Sequence, residues 1–381
     1  MDAADDPCPA RVRTETLPSD TVDKRTLAEG TVRVSPVVFG AMAHDEASDE
    51  AQRAVLMQAA IDAGITSIDT APLYGFGASE RSVGRAIRGR RDHVQVLGKV
   101  GLRWDDDHGD VLFVAGERVV RRDGRPEAVL RDVAQSLERL DTDYLDLVQL
   151  HHPDPHVPID ETLGALADLQ RAGAVRAIGV SNVDAAQLER ARSALAPLPL
   201  ASTQQRYSLV YREVETELLP ACLRSGVALL AYSPLAQGLL ADAALSGGAA
   251  PASEGRHADP AWRAAHRRGL RAAAQAALVH VARAHGVGLA EVAIAWLLAQ
   301  PGVGAAIVGA SCEAQVVANA GAAALVLAPD EVADIRSAFE TVRIDPAAGL
   351  SPRERAARLV RCARSKARRV LRRLGVPPRR R

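Results

Sequence analysis

The chain has 381 residues, of which 48% are hydrophobic and 25% charged, with a formal net charge of zero. That balance supports a sizeable core and excludes general disorder. No run approaches the ~20 apolar residues of a membrane span, and the acidic start, MDAADDPCPA, lacks the apolar stretch of a signal peptide. The zero charge hides an asymmetry. Residues 351–381 hold 13 Lys or Arg and one acid, Glu354, for a net +12, so the other 350 residues sum to −12. Cys8, Cys222, Cys312 and Cys362 are scattered without metal-ligand spacing, which predicts no metal and a reducing, cytoplasmic setting.

From the N-terminus, residues 12–35 read as a hairpin closing a barrel floor. Short apolar runs then predict strands at 37–39, 66–70, 94–100, 144–151, 176–182, 201–207, 227–233 and 305–309. Between them, amphipathic patterns predict helices at 48–64, 78–89, 126–140, 160–173, 184–195, 213–225, 288–299 and 313–325, with a final helix at 329–340. Leu163, Leu166, Leu169 and Ala172 show the helical spacing. Strands alternating with helices mean a parallel sheet, and eight such units predict an α/β fold of the (β/α)8 TIM-barrel type. A doubly wound open sheet is the alternative, but its nucleotide fingerprint is missing: the Gly75–Gly77 cluster lacks the third glycine, and no P-loop occurs.

Two insertions, 101–124 and 236–286, follow the third and seventh strands and so belong to the barrel's C-terminal face, where active sites are built. The expected organisation is a flexible acidic N-terminus over 1–24, a barrel over 25–345 and a basic tail over 346–381.

Polar residues end several of the apolar strands. Asp69, Lys99 and His151 would converge over one barrel mouth, and Tyr74 follows Asp69 in a Pro/Gly loop. Asp69 and Lys99 can be read as a catalytic pair or as a structural ion pair. Beside an ammonium, a phenol ionises more readily, which suits a general acid or base. His152 points the other way along an extended strand and is assigned no role.

These residues stand in motifs that resemble the aldo-keto reductases, over roughly residues 25–345. The motifs are Asp69-Thr70-Ala71-Pro72-Leu73-Tyr74-Gly75 with Ser79-Glu80, Gly98-Lys99, Asp146 to Asp154, Gly179-Val180-Ser181-Asn182, Gln204-Gln205-Arg206-Tyr207 and Ala231-Tyr232-Ser233-Pro234-Leu235. The likeness is to the bacterial branch with a long third loop. It implies hydride exchange between NADP(H) and a carbonyl or alcohol, with the protein positioning and polarising. Tyr74 would be the general acid, Lys99 would depress its pKa with Asp69 as partner, and His151 would orient the carbonyl. Ser181, Asn182 and Gln204 would hold the nicotinamide carboxamide, and Tyr232 would stack on its ring. Gly40, Met42, Ser233, Pro234, Leu235, Gln237 and Gly238 would line the rest of the cofactor, and Gly309, Ser311, Gln315 and Asn319 its adenosine end. A low-turnover regulatory or scaffold protein of the same fold is the alternative reading.

The adenosine segment departs from the pattern. From 304 to 335 the chain has no Lys or Arg, the usual partners of a 2′-phosphate. NAD(H) is therefore the alternative cofactor. Met42, Phe76 and Trp104 would form an apolar substrate wall, with Asp105, Asp106 and Asp107 as solvated surface. Arg103, Arg121 and Arg122 are candidates for an anionic substrate.

In the tail, Leu359, Ala363, Ala367, Val370, Leu371 and Leu374 recur mostly at three- and four-residue spacing among arginines, the pattern of an amphipathic helix. Such a segment contacts an anionic membrane, nucleic acid or an acidic partner, or stays solvated against the acidic body. Aromatics for base stacking are absent from it, so no nucleic-acid partner is expected.

Overall fold

The structure, a computed structural model, describes residues 23–27, 32–42, 49–242, 245, 266 and 269–344. Residues 1–22 of the expected acidic N-terminus, the 246–260 stretch of the second insertion and the basic tail lie outside the described residues.

Eight parallel strands close into a barrel. In chain order they are β3 (Val37–Gly40), β4 (Ser67–Asp69), β5 (Gln95–Val100), β9 (Leu147–Leu150), β10 (Ile178–Ser181), β11 (Leu200–Arg206), β12 (Ala228–Tyr232) and β13 (Val303–Val308). Each occupies one of the eight apolar runs of the sequence. Closure runs through the pairing of β13 with β3. Ahead of the barrel, β1 (Arg25–Leu27) and β2 (Val32–Val34) form the expected antiparallel hairpin. Leu27, Val32 and Val34 are buried with Val38, Leu97, Leu147, Ala177, Ala201, Leu230, Ala305 and Ile307 in one cluster inside the barrel. The hairpin thus plugs the floor with its own side chains.

The outward faces of the strands meet the helices in the main core. These are α1 (Glu50–Asp62), α2 (Ala78–Ile87), α3 (Pro126–Leu140), α4 (Ile159–Arg171), α5 (Ala185–Leu195), α6 (Leu218–Ser225), α7 (Val279–His285), α8 (Leu289–Leu298), α9 (Glu313–Ala324) and α10 (Pro329–Ala338). Local chemistry sets their starts. Pro126 opens α3, where its missing N–H costs nothing. Asp184 and Gln187 form a reciprocal capping box at α5, each side chain accepting from the other's backbone N–H. No single described helix is long and apolar enough to cross a membrane.

The first insertion folds rather than loops. β6 (Leu102–Arg103), β8 (Arg118–Arg122) and β7 (Asp110–Ala115) make a small antiparallel sheet with β8 in the middle. Its root is a buried ion cluster. Arg103, 2% exposed, bonds Asp132 of α3, holds Asp105 at 2.5 Å and lies 3.6 Å from Asp106. Asp132 also accepts from Gly101 N at 2.8 Å. Asp105 and Asp107 are exposed, as expected, although Asp105 also pairs with Arg103; the expectation is corrected for Asp106, which is half-buried beside Arg103. The three arginines are not held out for an anion: Arg103 is buried, Arg122 pairs with Asp110 at 2.5 Å, and Arg121 lies 3.6 Å from Asp107. Acids close in sequence and across α3 neutralise the cations locally.

Candidate active site

Parallel register brings the polar strand ends to one mouth. Gly40 pairs with Asp69, Lys99 with Gln149, Ser181 with Gln204 and Arg206 with Tyr232. Asp69 and Lys99 are both almost wholly buried, and Lys99 Nζ lies 2.5 Å from Asp69 Oδ1. The ammonium also donates to Thr70 O at 3.2 Å. Gln204 Nε2 donates to the second Asp69 oxygen at 2.7 Å. Burial works against the Lys99 charge, but Asp69 and Tyr74 outweigh it and hold the ammonium above its usual range.

Tyr74 opens a tight turn, Tyr74–Gly77, in which Gly75 and Phe76 both have positive φ. The turn is tied down from behind: Ser79 Oγ sits 2.8 Å from Thr70 Oγ1 and donates to Ala41 O at 2.5 Å. Lys99 Nζ lies 4.9 Å from the Tyr74 ring centroid. The His151 ring meets that of Tyr74 edge-on, with centroids 5.9 Å apart. Asp69, Tyr74, Lys99 and His151 therefore form one cluster, as expected. Lys99 lowers the Tyr74 pKa as expected, but it does not set the net shift. Burial pushes the Tyr74 phenol above its ordinary range, Lys99 pulls it down without reversing the shift, and Asp69 adds to the rise. Desolvation of the phenolate outweighs one ammonium whose charge is already shared with a carboxylate. Burial, Lys99 and His152 together hold His151 well below the ordinary histidine range, so it is a neutral imidazole near neutrality.

The expectation for His152 is corrected. Its ring stacks on His151, with centroids 5.5 Å apart and planes 19° apart, and its Nε2 lies 3.2 Å from Asn182 Nδ2. Alternation along β9 ends at Leu150, so the two histidines do not point to opposite faces. Burial and Arg122 lower its pKa to about 4. The Pro153 that follows is the only sequence signal that the extended pattern stops here.

Asn182, at positive φ, also donates to His151 O at 2.9 Å and Ser181 Oγ at 3.0 Å, and accepts from Tyr232 OH at 3.0 Å. Ser181, Asn182, Gln204 and Tyr232 thus share one wall of the mouth. Ser233 and Gln237 follow in a turn with Ala236, all three at positive φ, next to Pro234, Leu235 and Gly238. Gly40 faces Gly309 across the ends of β3 and β13; a Cβ on Gly40 would lie 3.3 Å from Ile307 Cγ2, and a Cβ on either glycine would only touch the other's backbone, at 3.4–3.5 Å. Ser311 N and Oγ reach Gln315 Oε1 at 2.8 and 3.1 Å, and Asn319 Nδ2 donates to Gly309 O at 3.3 Å. Phe76 and Trp104 pack edge-on at 5.1 Å, and the Arg118 guanidinium lies over the Phe76 ring at 4.2 Å. Met42 is exposed at the end of β3.

This mouth fits a nicotinamide dinucleotide. Among the described residues, the Gln204 backbone oxygen accepts from Asn182 N and Ser181 Oγ, but its side-chain Oε1 accepts no hydrogen bond, which leaves Oε1 for an amide donor. The amides of Leu235 and Gln237 reach no backbone carbonyl of a described residue, and a turn of this shape presents such amides to an anion. No side chain caps the start of α9.

Comparison with known proteins agrees. The model of the Aldo/keto reductase family matches residues 36–340. An aldo-keto reductase of Bacillus subtilis is 35% identical over 301 residues, covering 78% of this chain and 87% of that protein. The NADH-specific methylglyoxal reductase of Escherichia coli is 41% identical over 181 residues, 46% of this chain and 54% of that protein. Among solved structures, a glycerol dehydrogenase of Gluconobacter oxydans superposes with a TM-score of 0.74 at 30% identity, over 88% of this chain and 99% of that one. An aldo/keto reductase of Klebsiella pneumoniae in complex with NADP and acetate gives 0.61 at 30%, over 83% and 96%. The chain belongs to the aldo-keto reductase family and is an oxidoreductase.

Proposed function

We propose that this protein reduces an aldehyde or ketone to an alcohol, or runs the reverse, with Tyr74 moving the proton. The observation that carries this reading is the position of Tyr74 between Lys99 and His151, over the buried Asp69. When bound, the nicotinamide supplies or accepts the hydride. In reduction, Tyr74 gives its proton to the carbonyl oxygen as the carbon receives the hydride. The phenolate left behind faces the Lys99 ammonium and regains its proton from solvent. His151, neutral, orients the carbonyl oxygen by a ring N–H. With a nicotinamide cofactor bound, Ser181, Asn182 and Gln204 would hold its carboxamide, Tyr232 would lie against the ring, and the 233–238 turn would take the pyrophosphate. Phe76 and Trp104 form the apolar side of the substrate pocket. The natural setting is the cytoplasm, in keeping with the buried free thiol of Cys222.

We propose further that NADH serves at least as well as NADPH. Ser311 and Gln315 offer neutral atoms that are already bonded to one another, and 304–335 contain no cation for a 2′-phosphate. The NADH-specific relative supports this choice, while the NADP-bound neighbour shows that the family also takes the phosphate. Fluorescence titration with each cofactor decides it. Comparable constants are expected, and NADPH bound about tenfold more tightly, about 1.4 kcal/mol, would overturn the preference. Binding of neither would overturn the oxidoreductase mechanism itself.

A further inference from the structure

We infer that the basic C-terminal segment, 351–374, docks on the acidic outer face of α10 and in the hollow beside it. The hollow, about 440 Å³, lies between α7, the 326–328 turn and the start of α10. Its walls combine two chemistries. Val281 and Val326 are apolar, and Val326 is 83% exposed at the rim. Asp330, Glu331 and Asp334 are acidic. Glu331 is occupied by His285, whose Nε2 lies 2.9 Å away. Asp330 and Asp334 stand one helical turn apart, both exposed, and enter no ion pair with a described residue.

The segment offers the complement. If it is helical, Leu359, Ala363, Ala367, Val370, Leu371 and Leu374 fall within one third of the circumference, and Arg or Lys cover much of the remainder. An apolar stripe bordered by cations needs a surface with both apolar and acidic character. A nucleic acid would neutralise the arginines and leave the stripe in water. The +12 of 351–381 also matches the −12 of the rest of the chain, and attraction between such faces operates within a Debye length of ~8 Å at physiological salt.

The connection is long enough. The described chain leaves α10 and ends at Ile344, with six residues between it and Ser351. Six extended residues span ~20 Å, whereas the ten residues of α10 rise ~15 Å. The basic segment can therefore turn back along α10 towards the hollow at its N-terminal end.

Lys366 makes the test specific. The chain has three lysines; Lys99 is buried on Asp69 and Lys24 bonds Gln95. The experiment treats the full-length protein with a carbodiimide, maps the cross-links, and follows amide hydrogen exchange over 351–374. A parallel sample carries Asp330→Lys and Asp334→Lys. The wild type is expected to link Lys366 to Asp330, Glu331 or Asp334, with exchange over 351–374 slowed about tenfold, an opening free energy of about 1.4 kcal/mol. The variant is expected to lose both while its cofactor Kd, which reports a folded barrel, is unchanged. Rapid exchange in the wild type, protection that survives the double substitution, or Lys366 linked to other carboxylates would each overturn the proposal. So would protection that arises only when vesicles containing phosphatidylglycerol, or duplex DNA, are added.

Discussion

Asp69 gives one carboxylate oxygen to Lys99, at 2.5 Å, and the other to Gln204, at 2.7 Å. One buried acid thus joins the residues expected to move the proton to a residue expected to hold the cofactor. The arrangement rests on register: Asp69 ends β4, Lys99 lies on the neighbouring strand, and Gln204 reaches across from β11. The link also keeps Lys99 charged in a site that would otherwise favour a neutral amine.

Replacing Tyr74 by Phe removes the proton donor and little volume. We expect kcat to fall by about 10² to 10⁴, the range of general acid catalysis, with the cofactor Kd unchanged. Steady-state kinetics and fluorescence titration measure the two. Turnover close to wild type would show that another group is the acid.

The pH profile follows from two opposite shifts. Reduction needs the Tyr74 phenol protonated, and its pKa is raised, so activity is lost only as pH climbs past the ordinary phenol range. Oxidation needs the phenolate and should rise with pH instead. His151 is neutral above acid pH because its pKa is depressed, so neither rate should break near 6.5. A reduction rate that halves between pH 6 and 8 would contradict both assignments.

Stability should fall on acidification. His151 and His152 take up protons far less readily in the fold than in the open chain. Below the unfolded value near 6.5 the unfolded state binds more protons, so this contribution is lost as pH falls from 6.5 towards about 4 for His152. Melting temperatures taken between pH 7.5 and 4.5 should show a shallower decline for His152→Gln than for wild type. Parallel curves would mean that His152 titrates normally.

Asp132→Ala takes away the buried carboxylate of the Arg103 guanidinium and leaves it Asp105, at 2.5 Å, and Asp106, at 3.6 Å. Leaving a buried charge unpaired costs about 3–5 kcal/mol; the two remaining acids make the expected loss smaller than that, read as a lower denaturation midpoint. Trp104, next to Arg103 and packed on Phe76, should lose its position, raising KM more than it lowers kcat. An unchanged KM would detach the small sheet from the substrate pocket.

Gly179 lies where β10 and β11 approach. A Cβ there would come within 2.6 Å of Ser202 Oγ and 3.1 Å of Ser202 O. Gly179→Ala should destabilise the barrel by about 1–3 kcal/mol, measured by chemical denaturation. The first glycine of the Gly179-Val180-Ser181-Asn182 motif is thus explained by strand packing, and only Ser181 and Asn182 face the mouth.

The barrel was legible because its signals are local. Strands buried on both faces need continuous apolar runs, and helices that cover them need apolar residues every three or four positions, so composition and spacing alone marked eight units and their order. The same logic named Asp69, Lys99 and His151, since a polar residue ending an apolar strand has to meet others at the barrel mouth; Tyr74, in a loop, owed its role to the resemblance to the aldo-keto reductases.

Quantities that depend on what surrounds a group in three dimensions were not legible. The alternation rule placed His152 on the wrong side because nothing in the extended pattern marks where the ladder stops; the fold stops it at Leu150. Arg103 reads as a loop cation, yet Asp132, 29 residues away, buries it. The Tyr74 phenol depends on two opposing terms, the Lys99 charge and the loss of water. Sequence supplies the first, but the second is set by tertiary packing, and the packing decides the sign.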